Sequence, residues 1–252
     1  MARGKRSTAC SPPSTARCEW TWRVVTGSWW RARGRRVAYE KRAACSRQPL
    51  RSRRRGCKLH AAGSGVTTPD LDSALAALHQ GLVIGLPTDT VYGIGVDPEQ
   101  EPALRRLYKV KGRPEEKPIP ILAASLSDAR GMGMIPEGVE RYWPGALTVV
   151  VRRMPATPRW IGDAEKGTVA IRVPDHPIAL ELLARSGPLA VTSANRSGEP
   201  PAGDDTAART ALGDRVAVYV PGAGSGGAAS TVIDLTGRTA VVLRPGPVAW
   251  EP

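Results

Sequence analysis

From Val66 onward the apolar positions switch between a helical and a strand period. Leu71, Leu75 and Leu78 recur at steps of four and three, the stripe of an amphipathic helix; Thr67, Thr68 and Asp70 offer caps and Gly81 a stop. The short run 82–86 predicts a buried strand ending in Pro87 and a polar loop, 88–95. Residues 101–110 predict a second helix with Leu104 and Leu107 inward, followed by a charged loop, 111–117, and a strand, 119–123. Short helices follow at 125–130 and 137–143, and strands at 147–151 and 168–173. A helix at 177–185, a strand at 189–192 and a helix around 206–212 lead to three closing strands at 216–220, 231–235 and 240–243. Helices and strands alternate at first and strands cluster at the end. That order predicts an α/β domain with a mixed sheet.

Composition narrows this little until charge is divided along the chain. Hydrophobic residues make up 41% of the 252 and charged residues 23%, near globular averages. Gly (27) and Pro (23) together stay below the roughly 25–30% of low-complexity chains, which excludes a collagen or a wholly disordered protein. No apolar run approaches the ~18 residues of a membrane span. Phe is absent, so Leu, Val, Ile and Ala must build the core. Residues 1–60 hold 17 Lys/Arg against Glu19 and Glu40, a net of +15, whereas 61–252 hold 19 basic and 21 acidic residues, a net of −2. The sequence pI of 10.3 therefore describes the first segment, not the domain.

That first segment, 1–65, carries Arg clusters, four of the seven Trp and all four cysteines (Cys10, Cys18, Cys45, Cys57), with no sustained apolar period. It admits three readings: a nucleic-acid-binding arm, a transit peptide, or translation from a start placed too far upstream. A mis-assigned start or a disordered extension is preferred over a functional arm, because unpatterned cysteines and aromatic pairs suit neither alternative. The cysteines form no CxxC or zinc spacing. With no Cys in 66–252 and no secretory apolar segment, a cytoplasmic location is expected.

Several familiar chemistries are missing. His60, His79 and His176 are too scattered for a metal site or a histidine-based triad, and His79 is expected on a helix surface. Gly222, Gly224 and Gly227 fit G-x-G-x-x-G after a strand, but strand-like residues follow where a dinucleotide site needs a helix. A flexible linker or mobile lid is expected there. The polar strand ends say more. Pro87–Gly95 places Thr88, Asp89 and Thr90 directly after a buried strand. Lys111, Arg113 and Lys117 put three cations in one loop, where Arg offers a fork to phosphate and Lys a point charge. Arg172 stands in an otherwise apolar strand and needs an anionic partner or an open cleft. Thr192–Gly198 again sets hydroxyl and amide groups at a strand end. Each has a bland alternative, a capped turn or a solvated charged loop. Four in one domain are harder to explain so, because open α/β sheets bind ligands beyond their strand ends.

In this order, PTDTVYGIG (87–95), KGRPEEKP (111–118), WPGALT (143–148), VAIRVPDHP (169–177), TSANRSG (192–198), STVIDL (230–235) and LRPGP (243–247) resemble the YrdC-like family of threonylcarbamoyl-adenylate synthases. The match runs from about Val66 to Pro247, and the motifs together are highly specific. The resemblance implies a twisted open mixed sheet flanked by helices, with a concave, positively lined cavity, in a domain spanning 66–252. It implies ATP, L-threonine and bicarbonate or CO2 as substrates, threonylcarbamoyl-AMP and pyrophosphate as products, and Mg2+ arriving with ATP. The product would feed a separate transferase that modifies adenosine beside the tRNA anticodon; direct contact with tRNA is left open.

Carried onto this chain, the family's K-x-R and S-x-N signature falls on Lys111, Arg113, Ser193 and Asn195, with Lys111 and Arg113 as the catalytic pair. Lys117, Arg172, Ser230 and Arg244 complete the expected ATP site, and Thr90 and Thr148 the threonine site. No metal ligands are expected from the protein. Longer relatives continue past the LRPGP stretch, so the chain resembles the short, single-domain form. The competing readings are a non-catalytic double-stranded RNA or tRNA-binding module and a domain that only handles an adenylate made elsewhere.

Overall fold

A computed structural model describes residues 68–225 and 227–251, all within one compact unit, Leu59–Pro252. The expectation for residues 1–65 lies outside the described residues. Helix α1 (Thr68–His79) carries Leu71, Ala74 and Leu78 on its buried face and stops before Gly81, while His79 is exposed. Strands β1 (Ile84–Leu86) and β2 (Gly93–Val96) form an antiparallel hairpin, and α2 (Glu101–Lys111) follows with Leu104 and Leu107 buried. Next come β3 (Ile121–Leu122), α3 (Leu126–Met132, capped by the Ser125 side chain), a 3-10 turn at Val139–Tyr142, β4 (Leu147–Arg152) and β5 (Thr168–Arg172). The rest is α4 (Pro177–Ser186), β6 (Leu189–Ser193), α5 (Asp205–Leu212, capped by Asp204), β7 (Val218–Tyr219), β8 (Thr231–Asp234) and β9 (Val241–Arg244).

The strands form one nine-stranded sheet in the order β7-β1-β2-β6-β3-β5-β4-β8-β9. The pairs β1/β7, β3/β5 and β4/β8 are parallel and the remainder antiparallel, so the sheet is mixed as the element order predicted.

The two halves of this sheet are covered differently. Around β1 and β6 one core packs α1 and α4 against the sheet through Leu71, Leu78, Leu182 and Leu183, and a second packs Leu104 and Leu107 of α2 with Ile94. In the β5-β4-β8 half the period of two is strict. Leu147, Val149, Val151, Val169, Ile171 and Ile233 point into the core, whereas Thr148, Val150, Thr168, Ala170 and Val232 line an open cavity. The uncovered face of the sheet is the cavity floor.

Two expectations change. Residues 93–96 belong to a central strand rather than a polar loop. Glycine argues against a strand on propensity, but here it is required: a Cβ on Gly93 would lie 2.8 Å from Val191 Cγ1 on the neighbouring β6. The glycine run after β7 is also pinned rather than free. Gly224 N–H donates to Gly203 O (2.7 Å), Ser225 N–H to Thr88 O (3.1 Å) and Gly227 N–H to Thr90 O (3.0 Å). Most other differences are one or two residues at element ends; the helix expected at 137–143 is a short 3-10 turn and β3 keeps only two residues of its run.

Candidate active site

The cavity has a volume of about 550 Å³, with Arg113, Thr148, Arg152, Asp234 and Arg244 among its walls. Three side-chain groups converge on or beside it, each positioned by a different part of the fold.

The first begins where α2 ends. Gly112 takes the left-handed conformation (φ 63°), which a residue with a Cβ adopts at a cost, and the chain reverses there. Lys111 is thereby left buried and Arg113 is sent toward the cavity wall. Lys111 Nζ donates to Ser193 O (2.8 Å), Ser193 Oγ (3.0 Å) and Asn195 Oδ1, so the protein occupies all three ammonium donors. Asn195 Nδ2 in turn donates to the carbonyls of Arg196 and Glu199. Burial, with Arg113 nearby, lowers the Lys111 pKa to about 8, and Glu199 partly opposes the shift. Arg113 Nε donates to Lys117 O (2.7 Å) and Nη2 to Pro118 O (3.1 Å). Among the described residues its charge therefore meets only neutral carbonyls.

The second group lies where β4, β8 and β9 adjoin. Thr148 Oγ1 and Ser230 Oγ share a hydrogen bond of 2.8 Å, and Arg244 donates to Ser230 through Nε to O (3.0 Å) and through Nη2 to O (2.8 Å) and Oγ (3.1 Å). Among the described residues Arg244 is also held by neutral oxygens alone. Loss of water, then the charges of Arg172 and Arg113, lowers its pKa.

The third group joins the 87–92 turn to β5. Arg172 Nη2 pairs with Asp89 Oδ1, Nη1 donates to Thr90 Oγ1 (3.0 Å) and Nε to Gly145 O (2.8 Å). The Arg172 and Asp89 side chains are only 6% and 10% exposed. Asp89 thus supplies the anionic partner that an arginine in a buried strand required.

The sequence-predicted residues accordingly sort into Lys111 with Ser193 and Asn195, Arg172 with Thr90, and Thr148 with Ser230 and Arg244, with Arg113 on the cavity wall. Lys117 is not brought in: its side chain is exposed on the loop, and only its carbonyl is used. Asp89 was visible in the motif but had no assigned role. Arg152 and Asp234 on the cavity wall carried no signal short of the strand register. Among the described residues no group of three or more His, Cys, Asp or Glu is gathered to hold a metal ion, and no helix is long and apolar enough to cross a membrane.

A mixed sheet with one uncovered half, whose cavity carries Arg113 and Arg244 without a carboxylate partner among the described residues, defines an α/β domain with an open, partly cationic cavity. Residues 76–246 match the Sua5/YciO/YrdC family model, described as telomere recombination, and the chain belongs to that family. A Mycobacterium tuberculosis protein provisionally named threonylcarbamoyl-AMP synthase is 46% identical over 185 residues, covering 71% of this chain and 85% of its own. The Bacillus subtilis threonylcarbamoyl-AMP synthase is 38% identical, covering 73% of this chain and 55% of its own. The crystal structure of Pyrococcus abyssi Sua5 complexed with L-threonine superposes with a TM-score of 0.66 at 37% identity, over 70% of this chain and 54% of that one. The chain thus spans about half the length of the last two relatives.

Proposed function

We propose that the chain is a threonylcarbamoyl-AMP synthase, a nucleotidyltransferase that joins L-threonine, bicarbonate or CO2 and ATP. The carrying observation is the pair Arg113 and Arg244, which line one cavity of about 550 Å³ and are held only by neutral oxygens. A cavity of that size suits a nucleotide with a small amino acid. Two uncompensated guanidiniums suit a polyphosphate chain. The L-threonine complex of the related archaeal protein supports the second substrate.

The chemistry follows from charge. The neutral amine of threonine takes up CO2 and loses a proton, giving a carbamate. A carbamate oxygen attacks the α-phosphorus of ATP, the bond to the β,γ-phosphates breaks, and pyrophosphate leaves with the electron pair. Arg113 and Arg244 offset the charge that builds on the phosphoryl oxygens and the leaving group. Because the carbamate is already anionic, positioning can replace a general base at this step. Mg2+ enters with ATP as part of that substrate. Lys111 holds the 193–195 turn in place. The product would pass to a separate transferase acting on tRNA in the cytoplasm.

Pyrophosphate release from ATP tests this, with each component omitted in turn and the adenylate detected by mass. Release is expected only with threonine and bicarbonate both present, without tRNA. Serine should serve poorly but measurably, since one methyl is worth about 1–3 kcal/mol of discrimination. Arg113→Ala should lower turnover roughly 10²–10³-fold. Release without threonine would indicate a plain nucleotide hydrolase. No release, with salt-dependent RNA binding, would favour the RNA-binding module; the net charge of −2 over 61–252 speaks against that outcome.

A further inference from the structure

We infer that Asp89 is a positioning residue that neutralises and orients Arg172, with Thr90 bonded to the same guanidinium. This rests on the proposed synthase activity for its substrates, but its geometry stands alone.

The protons can be counted. Thr88 Oγ1 donates its only proton to Val91 O (2.7 Å) and accepts from Thr90 N–H (3.2 Å). In the 3.0 Å bond between the two hydroxyls, Thr90 must therefore be the donor. Thr90 then accepts from Arg172 Nη1, so its hydroxyl proton is used within the protein. With Nε on Gly145 O and Nη2 on Asp89, Arg172 keeps two of its five N–H groups without a partner among the described residues.

The three arginines consequently differ in charge. Among the described residues Arg113 and Arg244 meet only neutral oxygens, so their positive charge is uncompensated there. Arg172 is compensated by a buried carboxylate and offers directed donors with little net charge. Because β4 and β5 pair Val149 with Ile171, Thr148 and Arg172 come side by side at one end of the uncovered half-sheet. That end suits a small amino acid carrying one carboxylate and a neutral amine, while the polyphosphate follows the uncompensated pair. The brace is also long-range: β6 and β3 lie between the β1–β2 hairpin and β5, so the Asp89–Arg172 contact fixes the turn across them.

Removing the carboxylate would turn Arg172 into a third uncompensated cation beside Arg244 and draw phosphate into the threonine end. The test takes the full 252-residue chain with Asp89→Asn, Asp89→Glu and Thr90→Val, varying each substrate in the pyrophosphate assay. Asp89→Asn should raise KM for threonine roughly tenfold, the scale of a charge-assisted hydrogen bond weakened to a neutral one. KM for ATP should stay near the parental value, and added pyrophosphate should become a stronger inhibitor competing with threonine. Asp89→Glu should recover most of the loss, and Thr90→Val should shift the same KM by less. Equal changes in both KM values, or an Asp89→Glu as impaired as Asp89→Asn, would overturn the assignment; should Asp89→Asn fail to fold, the other two variants decide it by the same criteria. The Arg172 Nη2–H resonance, the donor to Asp89, gives a second readout that needs no turnover. It should exchange slowly with water in the parent, faster in Asp89→Asn and slowly again in Asp89→Glu. A parent chain without threonine-dependent release would sink the synthase reading alone; rapid Arg172 exchange in the parent would sink the brace.

Discussion

Lys111 and Arg113 stand two residues apart and do opposite things. Arg113 lines the cavity with its charge uncompensated, while Lys111 spends every donor on the 193–195 turn. The buried ammonium has a measurable consequence. Its pKa falls from 10.5 to about 8 on folding, chiefly by desolvation. Between those values the unfolded chain binds more protons than the folded one, so the cost of the buried charge, fully present below pH 8, is relieved as pH rises toward 10.5. The stability of the parent relative to Lys111→Met should therefore increase across that window. Denaturant midpoints of the two chains in parallel would show it, and a constant difference would mean that Lys111 is not desolvated as described. Motif spacing names both residues; which of them lines the cavity is decided by the reversal at Gly112.

Among the elements, β2 shows how a local rule is overridden. Its sequence, GIGV, has poor strand propensity, yet it sits between β1 and β6 with every residue buried. The space beside Gly93 belongs to Val191. Gly93→Ala should cost about 1–3 kcal/mol by overpacking, and in a Val191→Ala background the penalty should shrink because the nearest colliding methyl is gone. A double-mutant cycle on thermal unfolding measures the coupling; strict additivity would show that the strand tolerates a Cβ by shifting. The helices were easier to foresee. Ser125 and Asp204 cap α3 and α5 through their side chains, and α1, α2 and α4 each carry a stripe of Leu and Ala, all information within a few residues.

For the whole molecule, every group of the candidate site lies between Thr88 and Arg244. A chain beginning at Val66 is expected to fold and to keep full activity. It should also lose general affinity for polyanions, since the net charge falls from +13 to about −2. Circular dichroism, the pyrophosphate assay and polyanion binding at low salt would check this together; loss of turnover on truncation would make the extension part of the site.

Periodicity, caps and motif order determined the α/β class, most elements, the mixed sheet and the candidates for the site. Those signals are local, or depend on residue type alone. The uncovered half-sheet, the pairing of Arg172 with Asp89 and the inward turn of Lys111 were decided by tertiary structure. Residues 82 to 84 apart in sequence meet there, as Lys111 does Ser193 and Asn195, and Arg172 does Asp89 and Thr90. Whether a charge is free for a ligand or already compensated depends on that meeting, because no spacing along the chain records which acceptor a buried donor finds.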